Sequence, residues 1–132
     1  MVEARGRILV VDDDASVCRA LARLLRSYGF EVSTFGSAEA LLSADPPRDA
    51  VCLVTDVRMP GMGGVELAEH LLASGRDLPT VFVTAHGLEG LRSLVLDHAP
   101  VLHKPVEAEQ VVEAIERVRR GARGRPSMRA DQ

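Results

Sequence analysis

Polar side chains follow four short apolar runs of this sequence, each at the position where a run ends. They comprise two adjacent aspartates, a third aspartate, a threonine and a lysine: Asp12, Asp13, Asp56, Thr84 and Lys104. Carboxylate oxygens are ligands that Mg²⁺ prefers, and a lysine with a hydroxyl group can stabilise the oxygens of a phosphoryl group. The residue types therefore predict phosphoryl chemistry with a divalent metal ion, provided that the fold brings them together.

The apolar runs are typical of strands that are buried on both faces of a parallel sheet. They cover residues 8–11, 51–54, 81–83 and 101–103. Residues 30–35 alternate apolar and polar side chains, as a half-exposed edge strand does. Segments with helical spacing separate these runs, so we predict an α/β fold of five βα units in one doubly wound parallel sheet. Ligands bind beyond the carboxyl ends of the strands in such sheets, where the polar residues lie.

Five helices are predicted from apolar spacing and from residues that favour helix ends. Asp14 and Ser37 are predicted N-caps of the first two. The helices cover about residues 16–28, a short stretch after residue 37, residues 65–74, a weaker stretch at 88–97, and 107 to about 120. Residues 121–132 lack an apolar period and predict a flexible basic tail, so we assign one domain to residues 1–120.

Composition limits the classes of function. The net charge is −3 at pH 7, and the arginines near the carboxyl end have no interleaved aromatic residues, so we expect no direct contact with nucleic acid. No apolar run approaches the roughly 18 to 20 residues of a membrane span, and the first strand begins too early to leave room for a signal peptide. We expect a cytoplasmic protein with no membrane contact, in which Cys18 and Cys52 are reduced.

A carboxylate can accept a phosphoryl group only when a cation offsets the repulsion between the two anions. Asp13 and Asp56 would supply carboxylate ligands to Mg²⁺, and Asp12 would hold a metal-bound water. Lys104 would neutralise charge on the phosphoryl oxygens, while the Thr84 hydroxyl would donate a hydrogen bond to one of them. Aspartate can itself be the nucleophile, which gives an acyl phosphate.

Taken with their surroundings, these residues resemble the receiver domain of bacterial two-component response regulators. The shared segments are Asp12-Asp13, the ten residues from Thr55 to Gly64, Val83-Thr84-Ala85 and Lys104-Pro105, and they lie in register over residues 7–120. The resemblance implies a flavodoxin-like (βα)5 fold with strand order 2-1-3-4-5. It also implies a cis peptide bond between Lys104 and Pro105.

The resemblance assigns a role to each polar residue. Asp56 becomes the phosphoacceptor, Thr84 the switch hydroxyl and Lys104 the cation that contacts the phosphate. A sensor histidine kinase or a phosphotransfer protein would supply the phosphoryl group, and a downstream effector protein or a further output domain would respond. The chain would be a phosphoacceptor signalling domain, not an enzyme, although it takes part in its own phosphotransfer and autodephosphorylation. The implied Mg²⁺ site has four residues, the last through its backbone carbonyl: Asp12, Asp13, Asp56 and Arg58.

Two features depart from the receiver pattern. Receiver domains usually carry an aromatic residue three positions before the lysine, where this chain has Val101. The stretch from Thr84 to Lys104 is also about two residues shorter than the usual pattern. Valine is small and restricted in its first side-chain torsion, so it can sweep out less volume. We therefore hypothesise a muted switch that is carried by backbone movement of residues 85–91.

The segment after Asp56 is rich in glycine. It does not match a nucleotide-binding phosphate loop, because no lysine followed by serine or threonine comes after it. We predict that its glycines allow the positive backbone angles of a tight turn. These glycines are Gly61, Gly63 and Gly64.

Two alternative functions are compatible with parts of the sequence. A degenerate receiver would act as an interaction module without phosphorylation, although it would be expected to lack Asp13, Asp56 or Lys104, and all three are present. A small Mg²⁺-dependent phosphohydrolase with an aspartate nucleophile would use the Asp12-x-Asp14 pattern but leaves Asp56 unexplained. The sequence is equally compatible with a stand-alone receiver and with one domain of a longer protein.

Overall fold

The computed structural model describes residues 5–124, in which five strands alternate with five helices. The strands are β1 (Arg7–Val11), β2 (Glu31–Phe35), β3 (Ala50–Asp56), β4 (Thr80–Thr84) and β5 (Val101–His103). The helices are α1 (Ala15–Ser27), α2 (Ala38–Ser43), α3 (Gly64–Ala73), α4 (Leu94–Asp97) and α5 (Ala108–Gly124). The alternation confirms the predicted series of five βα units.

The five strands form one parallel sheet in the order β2-β1-β3-β4-β5, which confirms the predicted topology. The first and third strands of the chain are therefore neighbours in the sheet. Near their carboxyl ends, Val11 pairs with Thr55, and Asp56 pairs with Val83 of β4. The residues that follow these strands consequently meet at one edge of the sheet, at the point where the strand order reverses.

The sheet is covered on both faces because neighbouring side chains of a strand point in opposite directions. Ile8 and Val10 of β1 pack with side chains of α1 and α5. Leu9 and Val11 pack on the other face with side chains of α2 and α3. A third cluster joins Phe82 of β4 to residues of α3 and α4. Each fully buried aliphatic side chain stabilises the fold by about 1.5–3 kcal/mol, so these two layers fix the positions of the strand ends.

The helix predicted over residues 88–97 is shorter in the structure, where α4 covers only Leu94–Asp97. Ser93 begins this helix, because its hydroxyl oxygen accepts hydrogen bonds from the first backbone N–H groups of α4. The same hydroxyl donates to Glu69 on α3 at 2.7 Å. Gly90 has a φ of 83°, which interrupts a helical path. Apolar residues before Ser93 pack against the third cluster without forming a helix, so their spacing was misleading.

The other helix ends agree more closely with the sequence. Asp14 caps α1 as predicted, because its Oδ1 accepts a hydrogen bond from the Ser16 N–H at 2.9 Å. Ser37 caps α2 in the same way. At the carboxyl end, α5 continues to Gly124, past the predicted end near residue 120. The first four residues of the predicted tail are thus helical, and the rest of it, residues 125–132, lies outside the described residues.

Both cysteines are buried and unpaired, as predicted. Cys18 lies on α1 and Cys52 on β3, where its side chain belongs to the core beneath α1 and α5. Among the helices of residues 5–124, none is both long and apolar enough to cross a bilayer.

Burial of Cys52 should give the stability a pH dependence. Desolvation raises the pKa of this thiol from 9.0 to about 12. The unfolded chain would lose the thiol proton above pH 9, so between pH 9 and 12 the folded state binds more protons and the free energy of unfolding falls. Between pH 8 and pH 10, the natural chain should lose about 1.4 kcal/mol of stability relative to Cys52→Ala.

Urea unfolding of both chains at the two pH values measures this difference. Other alkaline titrations, including that of Lys104, are common to both chains and cancel. A stability difference that stays constant with pH would contradict the expectation.

Candidate functional site

The acidic pair lies where the chain leaves β1. The strand ends at Val11, and the Asp12 N–H donates to the carbonyl oxygen of Phe35 at 3.1 Å. The Asp12 carboxylate is only 2% exposed, and its Oδ1 accepts a hydrogen bond from the Asp14 N–H at 2.9 Å. Asp13 is exposed to solvent. Because the regular strand has ended, two adjacent residues can contribute to one site although strand neighbours point to opposite faces.

Asp56 is the last residue of β3 and is 7% exposed. Its Oδ1 accepts a hydrogen bond from the Arg58 N–H at 3.2 Å, which orients the carboxylate. The start of α3 packs directly against this strand end: a Cβ atom on Gly64 would lie 2.0 Å from the Asp56 carbonyl oxygen. No side chain fits at that distance, so Gly64 is required by the close approach of the two backbone segments.

The three carboxylates form one cluster. One oxygen from each of Asp12, Asp13 and Asp56 lies within 4.8 Å of the other two. The donor set consists of oxygens only, and its exposed member leaves the cluster open to water. Mg²⁺ takes carboxylates together with waters, whereas Zn²⁺ is held mostly by nitrogen and sulfur. The residues therefore fit a hard divalent cation such as Mg²⁺.

Lys104 joins two of these acids. Its Nζ donates hydrogen bonds to Oδ2 of Asp12 and to Oδ2 of Asp56, each at 2.9 Å. The Lys104 N–H also donates to the Thr84 carbonyl oxygen at 2.8 Å, which fixes the start of the side chain beside β4. The peptide bond between Lys104 and Pro105 is cis, as the resemblance implied.

The two neighbouring carboxylates stabilise the protonated form of the Lys104 side chain. Burial acts to lower the pKa of the ammonium group, but the hydrogen bonds and charges of Asp12 and Asp56 outweigh it and raise the pKa above 10.5. The stability that this shift contributes is complete below pH 10.5 and is lost only as the pH rises through the raised pKa. Lys104 is thus a cation throughout the neutral range.

The Thr84 hydroxyl forms hydrogen bonds with the backbone two residues further along the chain. It donates to the carbonyl oxygen of His86 at 3.0 Å and accepts from the His86 N–H at 3.1 Å. The residue itself is fully buried at the end of β4. The structure therefore brings Asp12, Asp56 and Lys104 into direct contact, while it places Thr84 on β4 with its hydroxyl bonded to the His86 backbone.

Two contacts of the loop between β3 and α3 had no signal in the sequence. The exposed guanidinium of Arg58 donates to the carbonyl oxygens of Gly87 at 3.4 Å and Glu89 at 3.0 Å. On the other side of the loop, Oε2 of Glu39 on α2 accepts a hydrogen bond from the Met62 N–H at 2.9 Å. Both are contacts of a side chain with a distant backbone, which residue spacing cannot reveal. Together they brace the loop that begins beside Asp56.

The prediction of positive backbone angles for this loop is correct for one glycine and wrong for two. Gly61 has a φ of 77°. Gly63 and Gly64 do not have positive φ. Glycine is needed at these positions because there is no room for a side chain. A Cβ atom on Gly63 would lie 2.8 Å from the carbonyl oxygen of Val57. The spacing of glycines indicated a tight segment but not which physical constraint acts at each position.

Comparisons with known proteins agree on one family. The family model described as the response regulator receiver domain matches residues 8–116. Transcriptional regulatory protein FixJ from Azorhizobium caulinodans is 41% identical over 108 residues, which make up 80% of this chain and 51% of that protein. The chain spans about half the length of the curated relatives it matches.

Solved structures with the same fold include two that are similar in sequence. The response regulator StyR is 43% identical, with a TM-score of 0.77, and the match covers 89% of this chain and 63% of that chain. The FixJ-N structure is 35% identical, with a TM-score of 0.75, and the match covers 91% of this chain and 96% of that chain. The matched family is a signalling family and not a classical enzyme family.

Removing the cation should destabilise the site. In Lys104→Met, the buried Asp12 and Asp56 carboxylates lose their shared partner, and we expect a loss of about 2–3 kcal/mol of unfolding free energy at pH 8 without divalent metal.

Arg117→Met is the matched control. It also removes one positive charge, but from an exposed pair with Glu113 at 3.8 Å, so its effect should stay below about 0.5 kcal/mol. Denaturant unfolding in a chelating buffer measures both variants. Equal losses in the two variants would contradict a central role for the Lys104 ion pairs.

Proposed function

We propose, because the chain belongs to the response regulator receiver domain family, that Asp56 accepts a phosphoryl group from a phosphohistidine of a partner protein. The observation that carries this proposal is the shared Lys104 contact. One ammonium group lies 2.9 Å from Asp56 and from Asp12, within a cluster of three carboxylates at the sheet edge. A carboxylate that must receive an anion needs such a cation beside it.

The transfer exchanges one bond for another. A carboxylate oxygen of Asp56 would attack phosphorus, and the new P–O bond would form as the P–N bond to the donor histidine breaks. The histidine nitrogen keeps the electron pair of the broken bond and takes up a proton. The products are an acyl phosphate on Asp56 and a free imidazole, and water would later hydrolyse the acyl phosphate. The second step is the autodephosphorylation of the domain.

The side chains around Asp56 would each assist a different part of this reaction. The Arg58 N–H, which holds Oδ1 of Asp56, keeps the carboxylate oriented towards the donor. Lys104 would move its hydrogen bond from the Asp56 carboxylate to a phosphoryl oxygen, where negative charge accumulates. Thr84 would turn its hydroxyl away from the His86 carbonyl and donate to another phosphoryl oxygen.

The acid cluster supports Mg²⁺ as the metal. Asp13 and Asp56 would bind it through carboxylate oxygens and Arg58 through its backbone carbonyl, while Asp12 would hold a metal-bound water. When bound, Mg²⁺ supplies positive charge that reduces the repulsion between the carboxylates and the incoming phosphoryl group. Asp14 would take no part, since its carboxylate caps α1.

The proposed partners follow from the family. A sensor histidine kinase or a phosphotransfer protein would donate the phosphoryl group, and an effector protein or an output domain would read the phosphorylated state. The FixJ relative is named a transcriptional regulatory protein, and this chain matches about half of its length. We propose that any contact with DNA is made by such an output component and not by this domain.

Phosphorylation of Asp56 is tested by mass spectrometry of the intact protein. Incubation with acetyl phosphate and Mg²⁺ should add the mass of one phosphoryl group to the natural chain and none to Asp56→Asn. Asp49→Asn provides the control. Asp49 directly precedes β3, at the end of the strand opposite Asp56, and forms an ion pair with Arg7. This variant should be phosphorylated at the natural rate. Equal phosphorylation of Asp56→Asn and the natural chain would refute the assignment and favour a receiver that acts without this chemistry.

The metal assignment is tested with two neighbouring aspartates. Asp13→Ala should weaken Mg²⁺ binding at least ten-fold, because it removes a carboxylate of the cluster. Asp14→Ala should leave Mg²⁺ affinity nearly unchanged and instead lower the unfolding free energy through loss of the N-cap. Titration calorimetry and urea unfolding separate the two effects. Equal losses of Mg²⁺ affinity would count against Asp13 as a ligand.

A further inference from the structure

The side chain of Arg58 links the proposed phosphorylation site to the segment between β4 and α4. We define the β4–α4 segment as residues 85–93. The guanidinium of Arg58 reaches across to it and donates hydrogen bonds to two of its carbonyl oxygens, those of Gly87 and Glu89. Arg58 precedes α3, so this contact joins two loops that are separated by about 30 residues of sequence.

The backbone of the same residue contacts Asp56. The Arg58 N–H donates to Oδ1 of Asp56 at 3.2 Å, while its guanidinium holds Glu89 at 3.0 Å. Asp56 and the β4–α4 segment are therefore two hydrogen bonds apart through one residue. A change in the charge or position of the Asp56 side chain acts directly on the residue that holds the segment.

The other contacts of the segment are local hydrogen bonds and apolar packing. The Thr84 hydroxyl bonds to the backbone of His86, and the Leu91 N–H donates to the Leu88 carbonyl oxygen at 3.1 Å. The segment itself forms no helix, since α4 begins only at Leu94, and Gly90 has a φ of 83°. Leu88 and Leu91 pack against the third core cluster. The side-chain hydrogen bonds to the backbone of residues 86–89 come from Thr84 and Arg58, which belong to the site. Such hydrogen bonds near the surface open easily, so they suit a reversible connection.

We propose that Arg58 is a positioning residue that holds the β4–α4 segment in its unphosphorylated arrangement and releases it when a phosphoryl group arrives on Asp56. The proposal rests on the proposed function of Asp56. A phosphoryl group carries close to two negative charges and three strong acceptor oxygens. An exposed guanidinium two residues away is attracted more strongly to these oxygens than to the neutral carbonyls of Gly87 and Glu89.

This release provides a route for the signal that does not need an aromatic side chain. Val101 packs partly buried against the third core cluster, and its branched side chain has little freedom to rotate. Withdrawal of Arg58, together with the Thr84 hydroxyl, would instead free backbone groups at both ends of residues 86–89. The β4–α4 segment would then change its arrangement while the packed core beneath it stays in place.

Amide hydrogen exchange at Leu91 provides the readout, because this N–H is hydrogen bonded within the segment. Exchange is followed by NMR in the natural chain, in Arg58→Met and in Arg92→Met, each without and with beryllofluoride plus Mg²⁺ as the phosphoryl mimic. Arg92 is the matched control, since it is an exposed arginine of the same segment. Fluorine NMR records whether beryllofluoride is bound.

In the natural chain and in Arg92→Met, beryllofluoride should accelerate Leu91 exchange by about five-fold, the effect of losing one hydrogen bond of ordinary strength. Arg58→Met should show this five-fold acceleration without beryllofluoride, and the mimic should then add less than two-fold. A purely structural role of Arg58 would raise the basal rate but leave the response to the mimic intact.

Two results would overturn the proposal. One is natural Leu91 exchange in Arg58→Met without the mimic, and the other is a full five-fold response of that variant to bound beryllofluoride. Absence of bound beryllofluoride from the natural chain would overturn the proposed function of Asp56 and with it the trigger for release. Bound beryllofluoride with an unchanged Leu91 rate would overturn the role of Arg58 alone.

Discussion

The ammonium group of Lys104, held between two buried carboxylates, is the interaction on which the rest of the site depends. Its Nζ lies 2.9 Å from Asp12 and from Asp56, and both acids are almost inaccessible to water. Burying an unpaired carboxylate costs several kcal/mol, and a second one nearby adds repulsion. The lysine therefore permits an acid cluster at this edge of the sheet. Asp13 stays outside this arrangement, since it is exposed and needs no such compensation.

The topology of the sheet explains why the cation has a long side chain. Lys104 follows β5, whereas its partners Asp56 and Asp12 lie at the carboxyl ends of β3 and β1, and β4 lies between. Neighbouring strands are about 4.8 Å apart, so the ammonium group must reach across the end of β4. Thr84 occupies that end with a short side chain folded back onto the His86 backbone. In this strand order, a cation that follows the last strand needs a long side chain to reach the two acids, and the small residue at the end of β4 leaves room for it.

Sequence patterns predicted the strands and the polar residues at their carboxyl ends. Apolar runs indicated the strands. Asp12, Asp56 and Lys104 could be predicted as site residues because the carboxyl ends of parallel strands meet at one edge of the sheet. The predicted length of α4 was too great, because apolar spacing cannot distinguish a helix from a loop that packs its apolar residues on a core. Contacts of the Arg58 and Glu39 side chains with distant backbone groups could not be predicted, because they depend on how loops from different units approach each other.

The donors around Asp56 are already satisfied in this structure. Lys104 donates to carboxylates, Thr84 to the His86 carbonyl and Arg58 to two carbonyls of the β4–α4 segment. A phosphoryl group would therefore act by exchanging partners, and only the difference between old and new contacts can shift the conformation. Lys104 gains least, since it leaves one anion for another. Arg58 and Thr84 leave neutral carbonyls for a charged group, so the larger gain falls on the two residues that hold the β4–α4 segment.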